Sequence, residues 1–247
     1  MSHALLAAQR LCTILHAKLG ANCREHGGMV MLQLWHSSDA RSFRALWSLE
    51  ELGLKYELHV LPFPPRVHRK EYLGENLLGT VPLLVDGETR MTESSAIPHY
   101  LSTVHGDGRL ALEPGHRDYG AYLNWLHHGE ATLTFPQTIY LRYAMLEPKE
   151  RRQPVVAEDY KTWFLARLRL TEHTLSDGRD YLLQSGFSNA DISVGYALML
   201  AVIIGLRHDL PENCLAYHDR LCARQGYLQA KAAQGADLEL SGFQEQS

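Results

Sequence analysis

A carboxylate and two hydroxyl groups follow one another at the predicted start of a helix. Glu93, Ser94 and Ser95 precede residues 96–104, in which the apolar side chains recur at helical spacing. The first N–H groups of a helix lack partners within it and carry the positive end of its dipole, so they favour a bound carboxylate. The Glu93 carboxylate beside them could bind an amine. The pattern therefore predicts a site for a ligand that carries an α-amino acid group.

Two short strands joined by a tight turn lead into this site. Residues 82–85 are apolar and follow Val81, and residues 89–92 return beside them. Asp86-Gly87 between the two strands is typical of a type I′ hairpin, because glycine adopts the required positive φ without strain. This order of elements would hold the acid and the hydroxyl groups in a defined place at the helix start.

The elements upstream form a βαβ unit. Residues 32–35 have the composition of a buried strand, residues 42–52 have helical spacing, and residues 56–60 alternate apolar and polar side chains. A short helix is predicted at residues 69–76, after three prolines. Residues 31–104 are therefore predicted to be an α/β domain with the order β-α-β-α-β-β-α.

Everything after a Gly-rich linker at residues 105–117 is predicted to be helical. The expected helices cover residues 119–145 with a bend at Pro136, 155–175, 192–206, 212–224 and 227–234. Ser188 and Asp191 form a capping box ahead of the third helix, which is apolar on nearly all sides and so should be buried. We predict an α-helical domain over residues 118–235, followed by a tail of residues 236–247.

The composition is that of a soluble globular protein and excludes several classes of function. Of the 247 residues, 45% are hydrophobic and 21% are charged, and the net charge of −4 argues against nucleic acid and an anionic membrane surface. The most apolar helix is too short to span a membrane. The four cysteines have neither metal-ligand nor disulfide-framework spacing, so we expect no metal site and a reducing, cytoplasmic location.

The first 30 residues are predicted to lie outside the fold. They contain a weakly amphipathic, basic run without an acid before Glu25, a composition found in mitochondrial transit peptides and in accidental extensions. Gly27-Gly28 ends this run, and the first strand follows directly. We therefore expect residues 1–30 to be an extension without ordered structure, whose removal leaves a soluble, active protein.

Val81-Pro82 followed by Glu93-Ser94 resembles the glutathione site of the glutathione S-transferases, which lies in a thioredoxin-like domain. The resemblance implies that the Val81–Pro82 peptide bond is cis and that the backbone beside it, after Thr80, pairs with the cysteinyl unit of glutathione. It also implies that Glu93 and Ser94 bind the γ-glutamyl end. The fold class implied is a thioredoxin-like N-terminal α/β domain followed by an α-helical C-terminal domain.

Three further segments resemble a microbial subgroup of these transferases. Residues 40–53 resemble its S-R-x-x-R-x-L-W helix start, residues 122–130 its W-L-H-x-x-E pattern, and residues 76–82 the usual N-P-x-G-x-V-P. The chain departs from these patterns at Ala40, where a serine is usual, and at Leu77, where the first proline is usual. The resemblance therefore covers both predicted domains.

The group that would activate the glutathione thiol is left open among three side chains. Cysteine is absent from residues 31–213, so cysteine-dependent transfer has no nucleophile in the first domain. Ser37 aligns with the activating serine of theta-like transferases, Ser38 is its neighbour, and the charge of Arg41 could lower the thiol pKa. The candidate catalytic residues are Ser37, Ser38 and Arg41, and the candidate binding residues are Thr80, Val81, Pro82, Glu93 and Ser94.

The resemblance implies an enzyme that uses glutathione as co-substrate. It would conjugate glutathione to a small electrophile or use it to reduce a peroxide, as a cytoplasmic homodimer with a role in detoxification. The alternative is a non-catalytic binding or interaction protein with the same fold, for which the departures at Ala40 and Thr80 leave room. The sequence does not identify the electrophile.

Overall fold

The computed structural model describes residues 31–237 of the chain. Residues 1–30 and 238–247 are outside it, so the expectations for the N-terminal extension and for nearly all of the tail at 236–247 stay untested. No helix within residues 31–237 combines the length and the apolar character needed to cross a membrane.

The first half of the described chain contains a four-stranded mixed sheet. Its elements are β1 (Leu32–His36), α1 (Phe43–Leu52), β2 (Tyr56–Val60), α2 (Pro65–His68), a 3₁₀ turn (Lys70–Gly74), β3 (Leu83–Asp86), β4 (Thr89–Met91) and α3 (Ala96–Val104). The strand order is β2-β1-β3-β4, and β1 is parallel to β2 but antiparallel to β3. The thioredoxin-like arrangement expected from the sequence is therefore confirmed.

Two local features of this half differ from the expectation. The helix expected at residues 69–76 is replaced by α2 and the 3₁₀ turn. Helical structure begins earlier than expected because Pro65 suits the first helical position. Gly87 and Glu88 join β3 to β4 as a two-residue hairpin. The type I′ assignment is wrong, because that turn requires positive φ at both linking residues and only Gly87 has it, at 58°. A positive φ is unfavourable for Glu88, which carries a Cβ.

The second half of the described chain is helical. Its elements are α4 (Tyr119–His127), α5 (Phe135–Leu141), α6 (Pro154–Leu175), α7 (Asn189–Ile203), α8 (Glu212–Cys222) and α9 (Gln225–Gln234). Wide π-helical turns join α4 to α5 (His128–Thr134) and follow α5 (Arg142–Leu146). The helix expected at residues 119–145 is therefore present, and its irregularity lies in these wide turns on both sides of Pro136.

α7 is the central helix of a core that joins the two halves. The capping box predicted at its start is confirmed, because Ser188 Oγ accepts from Ala190 N at 3.2 Å and Asp191 Oδ2 accepts from Ser188 N at 2.8 Å. The 13 residues that begin the helix are all buried. Trp47 of α1 packs so closely on Gly195 that a Cβ there would lie 3.1 Å from its ring. α1 and α7 therefore share one core.

Candidate functional site

A cleft of about 490 Å³ lies between the loops of the sheet and the helices α5 and α7. Its lining residues are Asp39, Ala40 and Arg41 after β1, Phe63 to Arg66 around α2, Thr80 and Val81 before β3, Thr134, Thr138, Leu141, Arg142, Leu146 and Glu147 around α5, and Tyr196 and Leu200 of α7. Arg41, Thr80 and Val81 were all predicted as site residues. The fold therefore brings two separate segments of the predicted site onto one cavity.

The Val81–Pro82 segment has the geometry that the resemblance implies. Its peptide bond is cis, Pro82 is buried, and Val81 lines the cleft. Tyr72 Oη and Asn76 Nδ2 donate hydrogen bonds to the Thr80 carbonyl at 2.9 and 2.7 Å. These two bonds hold the backbone before Val81 in place at the cleft.

The start of α3 has free hydrogen-bond donors beside an acid. The Glu93 carbonyl accepts from Ala96 N at 3.1 Å and from Ile97 N at 3.0 Å, whereas the N–H groups of Ser94 and Ser95 have no partner within residues 31–237. Ser94 is buried and Glu93 is exposed. Backbone donors at a helix start suit a carboxylate and an exposed acid suits an amine, so the α-amino acid chemistry predicted here is available.

Arg44 of α1 connects this helix start to the helical half of the protein. Its guanidinium has no exposed surface and donates to Ser94 Oγ at 3.0 Å, to Thr134 Oγ1 at 2.7 Å and to the Glu130 carboxylate. It also lies 4.2 Å from the centre of the Tyr196 ring. Because Ser94 Oγ accepts this bond, the hydroxyl hydrogen of Ser94 stays available to a ligand.

The Glu130 carboxylate lies between two guanidinium groups. Arg41 Nε is 2.7 Å from Glu130 Oε1, and Arg41 Nη2 donates to Thr138 Oγ1 at 2.8 Å. Burial alone would raise the pKa of Glu130, but the charges of Arg44 and Arg41 outweigh it, and the pKa lies below its ordinary value. The carboxylate therefore stays ionised and fixes Arg41 at the cleft.

The two candidate serines are placed differently from Arg41. Ser37 is completely buried, and its Oγ has no hydrogen-bond partner among the described residues. Ser38 is half-buried, and neither serine belongs to the cleft lining. Trp35 near the end of β1 pairs with Leu83 at the start of β3, so the loop that begins at Ser37 and the segment that precedes Leu83 lie at the same end of the sheet. Ser37 is therefore at the same end of the sheet as the cis segment but is covered, whereas Arg41 lines the cleft.

Arg44 contacts Ser94 and Glu130 contacts Arg41, and the sequence analysis singled out neither Arg44 nor Glu130. Both stand inside the quoted motifs, since Arg41 and Arg44 are the two arginines of the R-x-x-R spacing and Glu130 ends the second-domain pattern. That spacing brings two cations close together at a helix start, but it does not identify the acid that lies between them. Within the described part of the chain, no group of three His, Cys, Asp or Glu side chains is arranged to hold a metal ion.

Fold and cleft together define the class of this protein. A thioredoxin-like sheet with a cis-proline segment before β3 is followed by a helical half, and the cleft lies between the two. The family model described as glutathione S-transferase, N-terminal domain, matches residues 30–103. The class is therefore that of the two-part glutathione S-transferases.

The similar proteins identify the family. The chain is 31% identical over 198 residues to glutathione S-transferase 4 of Zea mays, covering 73% of this chain and 82% of that protein. It is 32% identical over 103 residues to glutathione S-transferase 3 of Schizosaccharomyces pombe, covering 42% of this chain and 43% of that protein. A glutathione transferase of Phanerochaete chrysosporium, solved in complex with oxidised glutathione, has the same fold with a TM-score of 0.71 and 24% identity over 85% of this chain and 97% of that one. The chain belongs to the glutathione S-transferase family.

Proposed function

We propose that this protein is a glutathione transferase that binds glutathione at the cleft and activates its thiol. The activated thiol would attack a small electrophile or reduce a peroxide. The observation that carries the proposal is that Thr80 and Val81, before the cis proline, line the same cleft as Arg41. We further propose that it acts as a homodimer in the cytoplasm, with a role in detoxification. Light scattering that shows a monomer at micromolar concentration would contradict the dimer.

The free donors at the start of α3 fit the γ-glutamyl end of glutathione. Its α-carboxylate would accept from the N–H groups of Ser94 and Ser95 and from the Ser94 hydroxyl, and its amine would pair with Glu93. The backbone of Val81 would pair with the cysteinyl unit. This arrangement would bring the thiol near the loop after β1, which carries Ser37, Ser38 and Arg41.

The thiol must be stabilised as a thiolate to react. A free cysteine-type thiol has a pKa of about 8.5, so most of it is protonated at neutral pH. One hydrogen bond to the sulfur contributes about 1.5–3 kcal/mol, which corresponds to about one to two pKa units. Ser37 has a hydroxyl without a hydrogen-bond partner among the described residues, Ser38 is the second candidate donor, and Arg41 would supply positive charge from the cleft wall.

The test is the absorbance of the bound thiolate against pH, together with turnover of an aromatic electrophile. We expect wild-type protein to lower the bound thiol pKa to about 7. Ser37→Ala, Ser38→Ala and Arg41→Ala then separate the three candidates, because the variant that raises this pKa has lost the activating group. A bound thiol with the pKa of free glutathione would show that the protein does not activate it.

A second candidate function is glutathione binding without turnover. It is favoured by Ala40 at the cleft, where the related pattern has serine, and by the covering of Ser37. Retention on immobilised glutathione separates this function from catalysis. Protein that is retained but turns over none of a panel of electrophiles and peroxides would be a binding protein.

A further inference from the structure

We infer that the last turn of α9 positions the loop at residues 37–42, and that Gln234 is a positioning residue for thiol activation. The inference rests on the proposed function, because this loop carries Ser37, Ser38 and Arg41. Residues 37–42 are here called the activation loop. α9 is the last helix of the described chain, so its contacts with this loop are remote in sequence.

The Gln234 side chain uses its whole hydrogen-bonding capacity, and three of its four bonds go to His36 and Asp39. Its Oε1 accepts from His36 Nε2 at 3.2 Å and from Asp39 N at 3.1 Å. Its Nε2 donates to Asp39 Oδ1 at 2.9 Å and to Asp237 Oδ1 at 3.3 Å. Gln234 is only 3% exposed, so a smaller side chain would leave these groups without the partner they have now.

Asp39 is held at the tip of the activation loop by three side chains from two helices, α7 and α9. Its φ is 56°, a left-handed conformation that is unfavourable for a residue with a Cβ and persists only where the surroundings enforce it. Lys231 Nζ of α9 pairs with Asp39 Oδ1 at 2.8 Å, and Tyr196 Oη of α7 donates to its carbonyl at 3.2 Å. The bonds to Gln234 complete this set. The conformation of the loop tip therefore depends on α9.

The same contacts reach both ends of the activation loop through His36. Burial lowers the pKa of His36 to about 4, so the ring is neutral at pH 7. A neutral ring that donates from Nε2 to Gln234 accepts at Nδ1, and the Ser42 hydroxyl donates to it there at 2.8 Å. Ser42 Oγ in turn accepts from Ser37 N at 3.2 Å. Gln234 is thus connected to the backbone of Ser37, at the start of the activation loop.

Docking of α9 does not depend on Gln234. The Tyr227 ring packs edge-on against Phe43 and Trp47 of α1, with ring centres 5.4 and 5.2 Å apart. Loss of the Gln234 amide should therefore leave the helix in place while the activation loop relaxes. Such a change moves Ser37 and Arg41 relative to Val81, and it leaves the start of α3 as it is.

The experiment compares Gln234→Ala with Gln229→Ala, the same change on an exposed side chain of the same helix. For Gln234→Ala we expect the bound-thiol pKa to rise by about one unit, kcat/KM at pH 7 to fall about tenfold, and the Kd for glutathione to change less than about twofold. Gln229→Ala should match the wild type in all three. Lys231→Met removes one contact to Asp39 and should move the thiol pKa in the same direction by less, with Lys231→Arg restoring it.

The outcomes separate the inference from the proposed function. Folded Gln234→Ala and Lys231→Met proteins with the wild-type thiol pKa would overturn the inference and leave the proposed function intact. If Gln234→Ala does not fold, the thiol pKa of Lys231→Met protein alone tests the inference, because this variant loses only one of the contacts to Asp39. Wild-type protein that fails to lower the thiol pKa would overturn the proposed function and this inference with it.

Discussion

Glu93 and Ser94 are neighbours with opposite surroundings, and each has a separate expected part in binding. Glu93 is exposed and has no ion-pair partner within residues 31–237, while Ser94 is buried with its hydroxyl oxygen bonded to Arg44. We predict that Glu93→Ala or Ser94→Ala weakens glutathione binding by about 1–3 kcal/mol, because the first leaves the ligand amine without its partner and the second removes the hydroxyl donor to the ligand carboxylate. Calorimetric titration measures the change.

Ser95→Ala is the matched control for that prediction. Ser95 is buried next to Ser94, and its side chain makes no capping hydrogen bond to α3. Its N–H stays in place after the substitution, so binding should stay at the wild-type level. Wild-type affinity in both the Glu93 and the Ser94 variants would move the γ-glutamyl site elsewhere.

His36 should make the protein less stable as the pH falls. The pKa of His36 is about 4 in the folded protein and about 6.5 in the unfolded chain. On acidification, the unfolded chain therefore binds a proton at a higher pH than the folded protein does, and this proton stabilises the unfolded state. The contribution of His36 to the free energy of unfolding is full above pH 6.5 and is lost on acidification towards pH 4. The neighbouring charges are those of Asp39 and Lys231, which act on the ring in opposite directions.

The measurement is the unfolding free energy from urea denaturation at pH 7 and pH 5. For His36 alone, the linkage predicts a loss of about 2 kcal/mol between these pH values. His36→Asn lacks the titrating ring, so its stability should fall by about 2 kcal/mol less over the same interval, whatever its stability at pH 7. Equal falls in the two proteins would rule out a neutral, buried His36 as the cause.

At the scale of elements, the wide turn between α4 and α5 depends on a glycine. A Cβ on Gly129 would lie 2.3 Å from Ser193 Oγ and 2.5 Å from the Ser193 carbonyl carbon of α7. Backbone atoms of the buried helix α7 cannot move aside locally. Gly129→Ala should therefore force the wide turn away from α7 and lower the unfolding free energy by about 3 kcal/mol. Chemical denaturation measures this loss.

Gly120→Ala, in α4, is the control for the glycine prediction. A Cβ at this position has no atom within 4 Å, and glycine is a poorer helix former than alanine. The substitution should leave stability unchanged or raise it by up to about 1 kcal/mol. Equal effects of the two changes would mean that helix propensity, and not the contact with α7, governs residue 129.

Local signals predicted the elements well, and contacts between elements explain the misses. The α7 capping box needs only Ser188 and Asp191, three residues apart, so the sequence placed that helix start within three residues. The wide turn at His128–Thr134 was missed because it accompanies the close packing of Gly129 on α7, which no local pattern contains. The hairpin was predicted from Asp86-Gly87, but its turn type depends on which residues link the paired strands.

At the scale of the whole molecule, local signals again predicted part of the candidate site, and contacts between distant elements account for the rest. Arg41, Thr80 and Val81 stand in recognisable motifs, and all three line the cleft. The contacts of Arg44 with Glu130 and of Gln234 with Asp39 join residues 86 and 195 positions apart in the chain. A single sequence contains no information about such pairs, so the side chains that hold the site in place emerged only from the fold.

The Arg44–Glu130 pair should be a main link between the sheet half and the helical half. Arg44 is completely buried, and Glu130 is the carboxylate that compensates its charge. Glu130→Gln keeps the size of the side chain but leaves a buried guanidinium without an anion, a change that costs about 3–5 kcal/mol in buried pairs. We predict a loss of that size in unfolding free energy, measured by denaturant titration, together with weaker glutathione binding because Arg44 also bonds Ser94.

Glu71→Gln provides the same substitution in an exposed pair. Arg69 and Glu71 form an ion pair at 3.3 Å with side chains 56% and 71% exposed, where solvent screens the charges and supplies other partners. The unfolding free energy of the Glu71→Gln protein should therefore equal that of the wild type. If Glu130→Gln is also no less stable than the wild type, then water or the neighbouring hydroxyl and carbonyl groups satisfy Arg44 without the acid. The shared core of α1 and α7 would then be sufficient to hold the two halves together.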